Sequence, residues 1–422
     1  MKTLIRLLRQ QNCEFRINTR RTHSHEVYFV HEKAETVRST SVTARSVTVY
    51  VDHDGFKGDY TFRVYPSDSE ETLCEKIQNA ILRARLIRNE HYTLPAKAKQ
   101  SVTATSNLAS MPMNAVAQKV AQACFDADKG EGGSINALEV FVYCEEVSVV
   151  NSNGLEKSQR KYRVMVEAIP TWNEKGESVE LYEACNFTEL DEKALTAEIS
   201  RKLAEVRDRY HAQKPASPVN APVVLFAPEL AEVCKELSYS LNYSSVYGKV
   251  NLFNVGDDVQ KRTSGDGITL TRCAQLKSSR HSAAFDADGS ELVDTVIMQN
   301  GVAVACYGGN RFAQYLKQPC TGELPCIRLE TGTLSQSQAE GIRRLECVSF
   351  SGLQTDLSND YIGGEVRLAY LVEGEKRTPL TGISISGKLS EVLPTIRLSQ
   401  QQRTYENYCG PAFALLDNVT VF

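Results

Sequence analysis

The chain reads as an α+β protein: two repeated helix–strands–helix modules at the N-terminus, followed by a β-rich C-terminal domain of sandwich or barrel type. Three observations predict this. The order helix, alternating strands, helix occurs twice before residue 211. The apolar positions Leu73, Ile77, Ile81 and Ala84 of one expected helix recur as Leu195, Ile199, Leu203 and Val206 of another, at a constant offset of 122 residues. Beyond a proline-rich break, short alternating runs are separated by Gly-containing turns, the signature of an all-β architecture. A chain of 422 residues is too long for one core. We therefore expect an α/β module over 1–95, a second over 112–210 that is an internal repeat, and a β-rich domain over 222–422.

The elements follow in order. Leu4, Leu7 and Leu8 give the first helix one apolar face. Alternating strands come next, with VYFV at 27–30 and SVTVYVD at 46–52, and Asp54-Gly55 is a hairpin turn signal. Ser67 with Glu70 fits a capping box for the second helix. The small polar residues from Pro95 to Met111 read as linker. A helix is then expected near Ala115–Cys124, followed by the strand ALEVFVYCEEVSVV and a turn at Asn151-Ser152-Asn153-Gly154. Two more strands lead to a helix from about Glu189, for which Thr188 and Asp191 look like a cap. His211–Pro222 holds three prolines among small polar residues and is the clearest linker. The C-terminal region carries turns at Gly265-Asp266-Gly267, Asp288-Gly289, Asn300-Gly301 and Gly363-Gly364, with helices near Pro228–Leu241 and after Ser335.

Composition narrows the function classes. The net charge of −4 and pI near 6.1 give no basic footprint for duplex DNA, so no direct nucleic-acid partner is expected. Arg6 interrupts the only apolar run at the N-terminus, and no stretch approaches the ~18 apolar residues of a membrane span. The twelve cysteines are scattered singly without a CxxC, which suits reduced thiols in a cytoplasmic protein. No G-x-S-x-G elbow, Walker loop or G-x-G-x-x-G is present. Asp126/Asp128 and Asp286/Asp288 hint at calcium loops but lack glycine at the sixth position, so both read as turns. His25-Glu26-Val-Tyr-Phe-Val-His31 nearly spells a zinc motif, yet its extra residue would make the imidazoles diverge on a helix, and the surroundings are strand-like. His281 reads as a polar rim residue. Tyr239, Tyr243 and Tyr247, spaced by four, would share one helical face; packing is the plain use, and a wall of a peptide-binding groove the sharper one.

The segment Phe285–Gly322, with its D-x-D-G, NG and TG turns, and the terminal Tyr408-Cys409-Gly410-Pro411 resemble the C-terminal domain of the TldD/PmbA family, also called modulator of DNA gyrase. The segment 223–253 looks like the family's strand, helix and substrate-side loop, and Ile383–Leu389 like one of its final strands. The family is a two-subunit peptidase acting on small or unfolded peptides. In its zinc-bearing subunit that helix carries HExxxH, where two imidazoles bind zinc and the Glu takes a proton from the bound water. Here the helix Glu229–Tyr239 has no histidine, and Cys409 is the only residue at a family zinc-ligand position. The resemblance thus implies a PmbA/TldE-like, non-catalytic subunit with no cofactor of its own, zinc residing in a TldD-type partner. It would shape a chamber and bind extended peptide. The alternative is a stand-alone, self-associating peptide-binding scaffold of the same fold without peptidase activity. Either way a homo-oligomer is possible.

Overall fold

The computed structural model describes residues 1–11, 13–128 and 133–422. Its N-terminal half contains α1 (Lys2–Gln10), β1 (Glu14–Val30), β2 (Lys33–His53), β3 (Phe56–Val64), α2 (Glu70–Ala84) and β4 (Lys99–Thr103). These are followed by α3 (Met113–Phe125), β5 (Gly133–Asn151), β6 (Glu156–Glu174), β7 (Glu177–Glu180), β8 (Glu183–Phe187) and α4 (Glu192–His211). All eight strands form one sheet in the order β3-β2-β1-β5-β6, with β4, β8 and β7 lying in turn along the outer edge of β6. The two helix–strands–helix runs meet at the antiparallel β1–β5 pair, where Ile17 faces Val150 and Val27 faces Val140.

Strand alternation separates the two faces of this sheet. Phe15, Ile17, Val47 and Val49 pack under α1 and α2, while Val27, Val140, Val164 and Val166 pack under α3 and α4. The opposite face meets the C-terminal half. There Arg16 pairs with Asp288, Asn18 Nδ2 donates to Ala287 O (2.7 Å), and Lys161 donates to Arg280 O and Ser282 O (3.1 and 2.9 Å). Several local expectations shift. β1 and β2 run far past the short apolar cores that announced them, because their polar, β-branched arms pair with each other from Glu14/Tyr50 to Val30/Lys33 without needing burial. The cap of α2 is Ser69, which accepts from Thr72 N (3.2 Å), in place of Ser67. The stretch read as linker contains β4, a parallel strand on β6.

The C-terminal half contains β9 (Val223–Phe226), α5 (Ala227–Tyr239), α6 (Tyr243–Tyr247), β10 (Leu270–Cys273), β11 (Thr295–Gln299), β12 (Val302–Ala303) and α7 (Asn310–Tyr315). Then come β13 (Cys326–Leu329), α8 (Gln336–Glu340), β14 (Arg344–Asp356), β15 (Tyr361–Glu373), β16 (Lys376–Leu380), β17 (Ile383–Gly387) and α9 (Leu389–Val392). The chain ends with β18 (Arg397–Leu398), β19 (Gln402–Tyr405), β20 (Tyr408–Pro411), β21 (Phe413–Leu416) and β22 (Val419–Val421). They build two sheets, β12-β11-β10-β13-β20-β19 and β18-β21-β9-β14-β15-β17-β22, with β16 on β15. Helix α5 lies between them and touches strands of both. The architecture is therefore the expected α+β type with a β-rich C-terminal half. Among the described residues, no helix is long and apolar enough to cross a membrane.

The enclosure of α5 explains its composition. Leu230, Ala231, Val233, Cys234, Leu237 and Ser238 are buried, and only Glu232, Lys235 and Tyr239 form an exposed stripe. We predict that Leu237→Ala, which empties a site 1% exposed, lowers the free energy of unfolding by about 2–5 kcal/mol. Urea denaturation measures it, and a loss below about 1 kcal/mol would contradict a tightly enclosed helix.

Candidate functional site

A polar cavity of about 600 Å³ lies where α4 and β8 of the N-terminal half meet the start of α5, β14 and β19. Three strand edges end at it. β8 pairs only with β6, β19 is the last strand of its sheet, and β14 pairs on the cavity side with β9 only at Leu345 and Glu346. Residues of all three line the cavity, among them Glu183, Ser349, Phe350 and Tyr405. Backbone groups along such edges have no strand partner.

Charged side chains line the walls in two groups. On α4, Lys202 bonds to Glu183 and Glu205 (both 3.0 Å), and Arg201 pairs with Glu198 (2.5 Å) and Glu205. Arg403 of β19 reaches Glu198 across the junction (3.2 Å). Lys202 and Glu205 are buried on the helix face that also carries Leu195, Ile199 and Val206. A charge withdrawn from water there needs a partner, and each has one. Burial pushes the Glu183 carboxyl up, with Lys202 opposing it. Burial pushes Glu198 up too, but hydrogen bonds from Arg201 and the charges of Arg201 and Arg403 outweigh it and hold that carboxyl below its ordinary range. In the second group, Arg344 and Arg377 share Glu346. Arg344 uses four of its five N–H groups: Nε and Nη2 bond to Glu346 (2.9 and 2.6 Å), and Nη1 donates to Ala339 O (2.7 Å) and Ile342 O. Arg377 spends only Nη2 on Glu346 (3.3 Å) while its guanidinium stacks on Tyr370, 3.4 Å from the ring centre.

Glu229, in the first turn of α5, differs from the other carboxylates. No side chain among the described residues donates to it, and its hydrogen bonds come from the backbone N–H groups of Glu229 and Phe226. Burial pushes its pKa up to about 7, with Lys202 and Arg403 opposing too weakly to reverse the shift.

The tyrosines expected on one helical face are divided between two helices, because the chain leaves α5 after Tyr239 and restarts at α6 with Asn242 as its cap. Tyr239 is exposed, Tyr243 is buried with its hydroxyl on Pro319 O (3.0 Å), and Tyr247 leans on Phe312 and Tyr315 and donates to Glu90 (2.6 Å). Cys409, on β20, lies against Cys273, Leu276 and Cys326 and accepts from Thr404 Oγ1 (3.5 Å). Among the described residues, no three His, Cys, Asp or Glu side chains come together to hold one metal ion. His25 bonds to Ser39 Oγ (2.9 Å) and His31 sits in a turn with φ 51°. Glu26 between them is taken by Ser24, Tyr28 and Arg38. His281 pairs with Glu406 (2.9 Å). Asp286 is a turn residue, accepting from the N–H groups of Asp288 and Ser290 (both 2.9 Å). Asp126 accepts from Gln122 (2.7 Å) and Asp128 from Ile135 N (2.8 Å), next to residues 129–132, which lie outside the described set.

Residues 219–422 match the model of the PmbA/TldA metallopeptidase C-terminal domain. They are a TldD/PmbA-family domain. The likeness in fold extends over the whole chain: TldE from Thermococcus kodakarensis superposes with a TM-score of 0.80 at 17% identity, covering 100% of this chain and 99% of that one. The "putative modulator of a DNA gyrase" from Thermotoga maritima gives 0.77 at 14% identity, over 100% and 99%. A protein of similar description from Bacteroides thetaiotaomicron gives 0.77 at 16%, over 100% and 98%. A comparison with curated proteins found no match. The cavity lies between the N-terminal half and the TldD/PmbA-family domain, at the N-terminal end of the enclosed helix and away from Tyr239 at its other end.

Sequence reasoning missed this cavity because its walls come from residues 182–205, 224–229, 336–350, 377 and 401–413. One local signal was present: Lys202 and Glu205 occupy helical positions that the Leu195/Ile199/Val206 stripe assigns to the interior.

The raised Glu229 carboxyl yields a pH prediction. Below about pH 4.5 it is protonated in folded and unfolded chains alike. As pH rises through about 7 the folded state must ionise it out of water, and stability is lost. Glu229→Gln should therefore gain on the wild type by on the order of 2–3 kcal/mol between pH 5 and pH 8. Thermal melts across that range test this; a difference that does not change with pH contradicts it.

Proposed function

We propose that this chain is the subunit of a TldD/TldE-type zinc metallopeptidase complex that carries no catalytic zinc of its own, shapes the chamber and holds unfolded peptide in extended form. The observation that carries this reading is helix α5. The resemblance places HExxxH on this helix in the zinc-bearing subunit, whereas here its outward stripe is Glu232, Lys235 and Tyr239, without an imidazole. On this reading the TldD-type partner supplies the His, Glu and Cys ligands and the zinc.

The peptide-holding role rests on the open edges of β8, β14 and β19. An extended chain can bond to such an edge through its own backbone, whatever its side chains, whereas a folded protein has already used those groups. Association with a partner is supported by exposed Tyr239, Val250, Leu252 and Val255. The loop bearing the last three is tied to the end of α5 by the bond from Leu252 N to Ser240 Oγ (3.3 Å). Apolar side chains grouped in this way favour a covering surface. The composition suits a cytoplasmic complex.

The test is metal content and cleavage of an unfolded peptide by the chain purified alone, then with a HExxxH-bearing partner. We expect no stoichiometric zinc and no cleavage alone, and cleavage on adding the partner. Stoichiometric zinc with cleavage by this chain alone would overturn the proposal.

A further inference from the structure

The cavity at the start of α5 segregates its charges. Its lining holds five carboxylates and five cations, yet Glu183, Glu198, Glu205 and Glu229 stand with only Arg201, Lys202 and Arg403, while Arg344 and Arg377 share Glu346 alone. With every group ionised, the α4–α5 end is one negative charge in excess and the β14–β16 end one positive. Each end also offers a group with capacity to spare. Glu229 accepts only backbone N–H groups. Arg377 is held flat on Tyr370, and its Nε and Nη1 donate to no described residue. The open edges of β8 and β14 border the same cavity.

We propose that this cavity binds a short peptide with both ends free, its α-ammonium toward Glu229 and its α-carboxylate toward Arg377. The inference rests on the peptide-binding reading above and narrows it to the class of ligand. An ammonium beside Glu229 gives that carboxylate the counter-charge no neighbouring side chain closes on it. A carboxylate beside Arg377 meets a guanidinium already fixed in plane, so little freedom is lost on binding. A cavity of about 600 Å³ falls in the range for small ligands and excludes folded chains. Peptides with two free ends are what any peptidase releases, whereas an internal segment of a substrate carries neither charge. The site is accordingly one for products or very short substrates.

The experiment is calorimetric titration of the intact chain with a four-residue alanine-rich peptide in four forms: free, N-acetylated, C-amidated and doubly blocked. A long unfolded peptide, blocked at both ends, is titrated alongside. We expect each block to weaken binding by about tenfold, as for loss of a charge-assisted hydrogen bond. Glu229→Gln should weaken the free form but not the acetylated one, and Arg377→Gln the free form but not the amide. Circular dichroism checks that both variants fold, and the wild-type series stands without them. Equal affinity for all four forms would overturn the end-reading while leaving peptide binding intact. The same holds if the long peptide binds and the short ones do not. Binding of none would overturn both.

Discussion

The structure depends on one helix being wrapped by two sheets. α5 touches strands of both C-terminal sheets, so nearly all of its circumference must be apolar and little of it can carry chemistry. That constraint fixes what its polar positions can do. Glu232, Lys235 and Tyr239 share the outward stripe, and Glu229 is left at the first turn, where the enclosing sheets part and the cavity opens. A histidine pair on this helix would have to lie on the outward stripe or displace packed side chains such as Leu237. The absence of imidazole from α5 is therefore a statement about its surface.

Charged pairs hold the junction between the halves together with apolar contacts such as Phe285 on Val149 and Leu155 and Tyr315 on Tyr92. Lys202 and Glu205 sit on a helix face that otherwise packs, and their pairing with Glu183 and Arg201 is the condition for burying them. Arg403 to Glu198, Tyr370 to Asp208 (2.8 Å) and Arg16 to Asp288 then tie the N-terminal sheet to the C-terminal domain at separate points. Such pairs fix geometry more than they add stability, because each charge leaves water to make its bond. This suits a wall whose spacing has to be held and whose lining has to stay polar.

The fold was legible where periodicity is long. The stripe 73, 77, 81, 84 and its echo at 195, 199, 203, 206 marked two helices, and the Gly-containing turns marked the β-rich half. In the second stripe Leu203 is only half-buried while Lys202 and Glu205 take interior places, since tertiary partners override the apolar pattern. The tyrosine spacing misled for a related reason: a four-residue repeat says nothing about whether the helix continues, and Asn242 stops and restarts it. The cavity was beyond local pattern, because its members are brought together only by packing α4 against β14 and β19.

The open edges raise a physical question of their own. Unpaired edges invite pairing with other chains and are usually blunted. β14 is bent by register shifts between Cys347 and Gly352, which breaks any long flat run. The edges of β8, β14 and β19 also face a cleft lined by ten charged groups, where a second folded sheet cannot follow. Entry then requires a chain thin enough to pass as a single strand and able to bring polar backbone to a polar wall. On the proposed reading, protection against aggregation and selection for unfolded peptide are consequences of the same geometry, and a subunit can discriminate between substrates without carrying a catalytic group.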